Sequence, residues 1–318
     1  MKERKIKTAF ADMYLSILRT YIRYSPFNFK KIAAWKQAYK YCLWRTTLTP
    51  RKAKTQTGHL INVAPPDAVQ TSIYMTGVWE PSITAYVSAT LRTGDTFIDI
   101  GANVGYYSLL GSEIVGKHGK VFALEASPNI YHELTANIKR NRISNITSIK
   151  ALIGSEHGER DFWSGGARNL GQSTCVAKAA QQEGFILEGK VQSYRLEDVI
   201  DFKTITNARL IKIDVEGAEL EVLAPLLPRL QEFSEGTEWI LEVTPELYPR
   251  GHEDAIQIFQ SFFSSGYRAY QLPNPYNIAH YLTRPRFPRL EEIVTTPNHQ
   301  VDVLFTRQKK TTPHSRER

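Results

Sequence analysis

An α/β fold built on a mostly parallel sheet is predicted by three observations. Short apolar runs alternate with amphipathic stretches between Asp95 and Ile153. The connections between them are only a few residues long. After a polar break, the same alternation resumes from Leu210 to Phe305. A parallel sheet needs helical crossovers between its strands, and this rhythm supplies them.

The elements follow in order. Residues 1–57 form a basic helical N-terminal arm. Phe10, Met13, Tyr14, Ile17, Leu18, Tyr21 and Ile22 recur at helical spacing, and Ser25-Pro26 ends that helix. Phe29–Trp44 makes a second helix bearing Lys30, Lys31, Lys36 and Lys40. The polar stretch Thr46–Gly58 reads as a linker. The main domain covers residues 58–306. It opens with a short strand, His59–Val63, a turn at Pro65-Pro66-Asp67 and a helix, Ile83–Leu91. Strands follow at Asp95–Ile100, Lys120–Leu124 and Ile146–Ile153, with helices Val104–Ile114 and Asn129–Arg140 between them. Residues 154–206 form an insertion with a small β element. It contains Ser164-Gly165-Gly166-Ala167-Arg168 and ends in an extended Lys190–Arg195. Leu210–Val215, Trp239–Val243, Arg268–Leu272 and Val301–Phe305 complete seven strands, with helices at Gly217–Leu227 and Ala255–Ser264. Residues 307–318 read as a basic, disordered tail.

Composition narrows the function. Of 318 residues, 42% are hydrophobic and 23% charged, which excludes wholesale disorder. The net charge of +8 is unevenly spread. Residues 1–57 hold 14 Lys+Arg against 2 Asp+Glu, and 307–318 hold 5 against 1. The body, 58–306, is therefore acidic, with 21 basic and 29 acidic residues. A nucleic-acid cleft needs clustered Lys and Arg at the site, so no nucleic-acid partner is expected. The basic ends suit an anionic surface, and peripheral membrane contact through the arm is one reading. The plainer and favoured one is a docking helix with solvated lysines. Two cysteines, Cys42 and Cys175, make neither a disulfide framework nor a zinc cluster, and a reducing, cytoplasmic setting is expected. The N-terminus does not read as a signal peptide, and no run approaches the ~18 apolar residues of a spanning helix.

The chemistry should sit where the strands end. Asp99-Ile100-Gly101-Ala102-Asn103-Val104-Gly105 is a glycine-rich turn between a strand and a helix. Gly101 lets the backbone turn sharply and approach a ligand, and Gly105 lets the next helix pack closely. The second strand ends in Glu125-Ala126, and an acidic residue there can accept hydrogen bonds from both ribose hydroxyls of a nucleoside. A dinucleotide fingerprint would place glycine at position 103. Asn103 would crowd a pyrophosphate, so a cofactor with ribose and adenine but no phosphate fits better, which is S-adenosylmethionine. Asp214 and Glu216 end the fourth strand on one side of an extended chain. Either can hold the cofactor's ammonium group or orient a substrate hydroxyl. Glu219 reads as a first-turn residue favoured by the helix dipole, and Lys212 as a solvent-facing or ion-paired strand residue. No His/Cys metal-ligand set of recognisable spacing appears, so no metal ligand is named and metal dependence stays open.

Taken together, these motifs resemble the FkbM family of S-adenosylmethionine-dependent methyltransferases. The resemblance rests on the segments 99–108, 121–128, 211–219 and 240–243, with Gly77-Val78-Trp79-Glu80-Pro81 upstream. It implies a Rossmann-like seven-stranded methyltransferase fold, Glu80 among the cofactor contacts, and methylation of a hydroxyl oxygen on a small molecule, sugar or lipid. The sequence has Ala126 where the family usually has proline. The general base for an alcohol acceptor is sought among Asp214, Glu216 and Glu242, with His252 ranked lower. Two alternatives stand beside this reading: a cofactor-binding protein without catalysis, and an NAD-dependent oxidoreductase, which Asn103 disfavours.

Overall fold

The computed structural model describes residues 2–25, 30–44, 51–64, 67–165, 172–275, 277–282 and 285–310, with backbone alone for 2–12 and 41–44. Pro26, Pro65-Pro66, Gly166-Ala167-Arg168 and residues 311–318, on which some expectations rested, lie outside this description.

Two helices, α1 (Lys2–Tyr24) and α2 (Lys31–Trp44), are followed by a hairpin of β1 (Arg51–Lys54) and β2 (Leu60–Val63). The stretch read as a linker thus contains a strand, and a boundary at residue 57 falls inside the hairpin. Helices α3 (Ala68–Thr76) and α4 (Pro81–Thr90) lead into the central region. There β3 (Thr96–Ile100), α5 (Tyr106–Val115), β4 (Lys120–Glu125), α6 (Pro128–Arg140) and β5 (Ile146–Lys150) alternate as expected.

The insertion is more structured than its polar composition implied. The strand expected over Ile146–Ile153 is broken, and its end, β6 (Leu152–Ile153), joins the insertion's β7 (Gly158–Ser164), β8 (Ser173–Thr174) and β9 (Ile186–Tyr194), with α7 (Ala177–Glu183) among them, in a separate four-stranded sheet ordered β6-β9-β7-β8. Short helices α8 (Leu196–Val199) and α9 (Phe202–Thr206) return the chain to β10 (Leu210–Ile213). The helix expected over 217–227 is only α10 (Glu219–Leu223), with a 3₁₀ turn after it at Leu227–Glu232. Pro225 accounts for the break, since it lacks an amide donor. Then come β11 (Glu238–Val243), α11 (His252–Ser264), β12 (Arg268–Gln271), α12 (Ile278–Tyr281), β13 (Glu291–Ile293) and β14 (Val301–Thr306).

The central sheet has the order β13-β12-β14-β11-β10-β3-β4-β5. All seven expected strands contribute to it, the third only through Ile146–Lys150, and β13 adds a short eighth at the edge. From β10 to β5 the pairing is parallel, while β14 runs antiparallel between β11 and β12. The chain moves outward from β3 to β5 and then returns to place β10 on the other side of β3. The crossovers on either side of β3 therefore diverge, and a crevice opens at the carboxyl ends of β3 and β10.

The inner face of the arm belongs to the core. Leu15, Ile22, Trp35 and Ala38 are buried in the same cluster as Ile73, Met75 and Phe97. Arg23 fixes the join. Its guanidinium donates to the carbonyls of Ile73 and Tyr74, both at 2.7 Å, and of Lys54 at 2.6 Å. A cation at the carboxyl end of α3 satisfies carbonyls the helix leaves open.

Candidate active site

A cavity of about 360 Å³ lies in the crevice. Gly101 shows why a glycine-rich turn builds it. Gly101 has φ +81°, and a Cβ there would stand 1.9 Å from the Asp214 carbonyl oxygen. Only a bare Cα lets the turn after β3 lie against the end of β10. Gly105, with φ +90°, would place a Cβ 2.6 Å from Leu134, so its role is close packing of α5 on α6.

Glu125, at the tip of β4, is buried and held from both sides. Asn103 N–H donates to Oε2 and Ser127 N–H to Oε1, each at 2.9 Å. Asn103 adopts φ +51°, and this left-handed turn aims its amide at Glu125. Burial raises the Glu125 carboxyl to about 7, against the pull of those backbone amides. Each oxygen has acceptor capacity left for a ligand hydroxyl. Ala126 lines the same wall.

Across the cavity stand Asp214, Glu216 and Glu242, whose carboxylate oxygens lie within 4.8 Å of one another. Hard oxygen donors so close together suit either a divalent cation or a cationic ligand group. Metal ligands were sought in the sequence only by His and Cys spacing, and separate strand ends supply this set instead. Burial raises Glu216 to about 8, with Asp214 and Glu219 adding to it. Burial also raises Glu242 well above the usual carboxylate range, reinforced by Asp214 and Glu216.

Lys212 was read from sequence only as a strand residue, and Asp302, Asn274 and Gln300 were not singled out at all. Lys212 sits in β10 at 3% exposure, with Nζ 2.7 Å from Asp214 Oδ2. Burial alone would lower its pKa, but the charges of Asp214, Glu80 and Asp99 outweigh that and raise it. Of its two readings from sequence, the ion-paired strand residue is the one observed, and it forms the buried counter-charge of the site. A lysine inside the apolar run Leu210–Ile213 was the available signal. Asp302 was invisible because nothing local marks it. It faces Glu242 across the β11–β14 pair. Burial first, then Glu80, pushes Asp302 well up. Asn274 Nδ2 donates to both Glu80 (2.9 Å) and Asp302 (3.1 Å), and Gln300 donates to Glu242.

The remaining candidates separate. Glu80 lines the cavity and accepts from Tyr107 OH at 2.8 Å. Tyr106 and Tyr107 pack against each other edge to face, and both reach the cavity wall. Asp99 does not line the cavity. It lies behind the wall, 1% exposed, and accepts from Ser108 Oγ at 2.5 Å. Glu219 is fully buried, and its Oε1 accepts from Val215 and Gly217 N–H, so it braces the loop that carries Asp214 and Glu216. That role is more specific than a dipole preference. His252 is exposed at the start of α11 and does not line the cavity. The insertion closes one side with Phe162 and residues 172–175.

Backbone strain marks the same place. Five non-glycine residues among those described have positive φ, and three of them, Glu80, Asn103 and Glu216, line this cavity. Such conformations persist where the surroundings over-determine them, as at ligand sites.

Comparison with known proteins agrees with the geometry. Residues 99–269 match the family model described as the methyltransferase FkbM domain. A protein-L-isoaspartate O-methyltransferase of Ignicoccus hospitalis is 30% identical over 69 residues, covering 21% of this chain and 33% of that protein. The methyltransferase sdnD of Sordaria araneosa is 27% identical over 167 residues, covering 43% of this chain and 62% of it. The matches therefore span less than two thirds of either relative. A SAM-dependent O-methyltransferase structure from Thermotoga maritima aligns with TM-score 0.39 at 14% identity, covering 82% of this chain and 79% of that one.

Proposed function

The chain belongs to the FkbM methyltransferase family, and from that membership we propose that it moves the methyl group of S-adenosylmethionine onto a hydroxyl oxygen of a small molecule, sugar or lipid. The observation that carries this reading is the pairing of two unlike walls in one cavity. Glu125 stands on one side with each oxygen held by a backbone amide and with acceptor capacity left. Three carboxylates stand on the other.

The residues present fit that cofactor. The turn at Gly101 lets backbone approach a ligand without a Cβ in the way. Among the described residues the lining carries six carboxyl groups, from Asp67, Glu80, Glu125, Asp214, Glu216 and Glu242, against one cation, Lys212. Such a wall favours a cationic sulfonium and disfavours a pyrophosphate or a nucleic-acid backbone. The cofactor supplies an already activated methyl group, so the protein's work is orientation and proton handling.

In this reading Glu125 fixes the nucleoside and Asp214, held by Lys212, receives the amino group. Glu242 takes the acceptor's proton. Burial and the neighbouring carboxylates push its carboxyl up from the usual carboxylate range, which makes it a stronger base toward an alcohol proton than an exposed carboxylate. Gln300 orients it, and Asp302 and Glu80 keep its affinity high.

The test is Glu242→Gln, assayed with a panel of hydroxyl acceptors and by calorimetry with S-adenosylhomocysteine. Turnover should fall on the order of 10²–10⁴-fold, with cofactor affinity changed by less than about twofold. A variant that retains full turnover would remove Glu242 from the base role. Turnover confined to nitrogen or carbon acceptors would overturn the hydroxyl assignment.

A further inference from the structure

We propose that the outward face of α1 and α2 docks on an anionic lipid membrane. The inner face of α1 is anchored by Leu15, Ile22 and Arg23, as described above. On the opposite side, Met13, Ile17 and Tyr24 form a ridge at four- and seven-residue spacing, exposed by 55%, 58% and 71%. A helix docked on a soluble body normally turns polar residues outward. Here the apolar ones face solvent.

The ridge continues onto α2. Tyr14 OH donates to Gln37, so the outward faces of the two helices adjoin. Beside Gln37, α2 exposes Ile32 together with Lys36 and Lys40.

Charge selects the occupant. Lys36 and Lys40 are exposed on α2, and from Met13 to Pro66 the sequence has no Asp or Glu to offset them. A protein partner would need a complementary acidic patch, and a second copy would bring the same positive face against this one. An anionic bilayer answers both features: its headgroups meet the lysines, and its interface takes the apolar ridge. Among the described residues no helix is long and apolar enough to cross a membrane, so the contact is interfacial. The N-terminal end of α3 (Ala68, Val69) lines the catalytic cavity, and its C-terminal end is gripped by Arg23. Docking would thus hold the methyl-transfer site close to the bilayer.

The experiment is vesicle co-sedimentation of the full chain, with vesicles of phosphatidylcholine alone and of phosphatidylcholine mixed equally with phosphatidylglycerol. The expected result is binding to the mixed vesicles only, weakened as salt rises. Met13→Glu/Ile17→Glu should lower partitioning on the order of tenfold, and Lys36→Glu/Lys40→Glu by roughly 25-fold, at about fivefold per lysine. All four positions are exposed, so unchanged thermal unfolding should confirm that the fold persists. Failure of the wild-type chain to sediment with mixed vesicles overturns the proposal. So does binding that Met13→Glu/Ile17→Glu leaves intact. A concentration-dependent dimer abolished by Ile17→Glu, without vesicle binding, would assign the face to a second copy instead. Calorimetry with S-adenosylhomocysteine on the same preparations keeps this outcome separate from the methyltransferase reading.

Discussion

Replacing Glu125 by glutamine should separate cofactor affinity from protein stability. The Glu125 carboxylate accepts two backbone bonds of 2.9 Å, from Asn103 and Ser127. Glutamine keeps one acceptor oxygen and turns an NH₂ donor toward the other amide, and it also withdraws an acceptor from one ribose hydroxyl. Losing a hydrogen bond to a charged, buried group costs about 1–3 kcal/mol. The dissociation constant for S-adenosylhomocysteine should rise about 5- to 150-fold at pH 8, read by titration calorimetry. Stability should move less. The folded pKa of Glu125 is raised to about 7. A raised carboxyl contributes stability fully present below its unfolded pKa and lost as pH rises through the folded one, up to about 3 kcal/mol here. The amide never ionises, so at pH 8 it escapes that loss, which offsets the broken bond. Wild-type affinity should also weaken up to about tenfold between pH 8 and pH 6 as Glu125 protonates, while the variant's stays flat by comparison. Equal affinities at pH 8 would refute the ribose assignment. Parallel pH profiles would show that a different group titrates.

Two further substitutions test the frame of the site. Lys212→Met removes the buried counter-charge of Asp214 and should cost about 3–5 kcal/mol in urea unfolding at pH 8. That loss should shrink at lower pH, where the carboxylates protonate; a loss below 1 kcal/mol at pH 8 would mean Asp214 finds water instead. Gly101→Ala drives a methyl group to 1.9 Å from the Asp214 carbonyl at φ +81°, so β3 and β10 must separate at the crevice. Cofactor binding should be lost and the unfolding midpoint should drop by several degrees. Retained affinity would show that the turn can relax without opening the cavity.

How far each part of the molecule could be read follows from where its information lies. The order of strands and helices is local, because side-chain periodicity and glycine placement record it residue by residue. The turn at Gly101 and the carboxylate at Glu125 were legible for the same reason: both lie within one strand–turn–helix unit, at a spacing the chemistry dictates. So was the exposure of an amphipathic arm, although not which of its faces turns inward. The sequence alone therefore determined the fold class, the family and one wall of the pocket.

Tertiary structure decided how the other wall, whose Asp214, Glu216 and Glu242 were already candidates, is assembled. Lys212, Glu242, Asn274, Gln300 and Asp302 are spread over some ninety residues, and only the antiparallel insertion of β14 beside β11 sets Asp302 opposite Glu242. Proton affinities at the site arise from burial and from charges brought together across strands, and neither quantity exists in an extended chain. The insertion gave the weakest local signal, yet it closes the cavity with Phe162 and residues 172–175. A parallel sheet gathers its strand ends in space while keeping them apart in sequence, and for that reason the chemistry of this protein is assembled only when the sheet is.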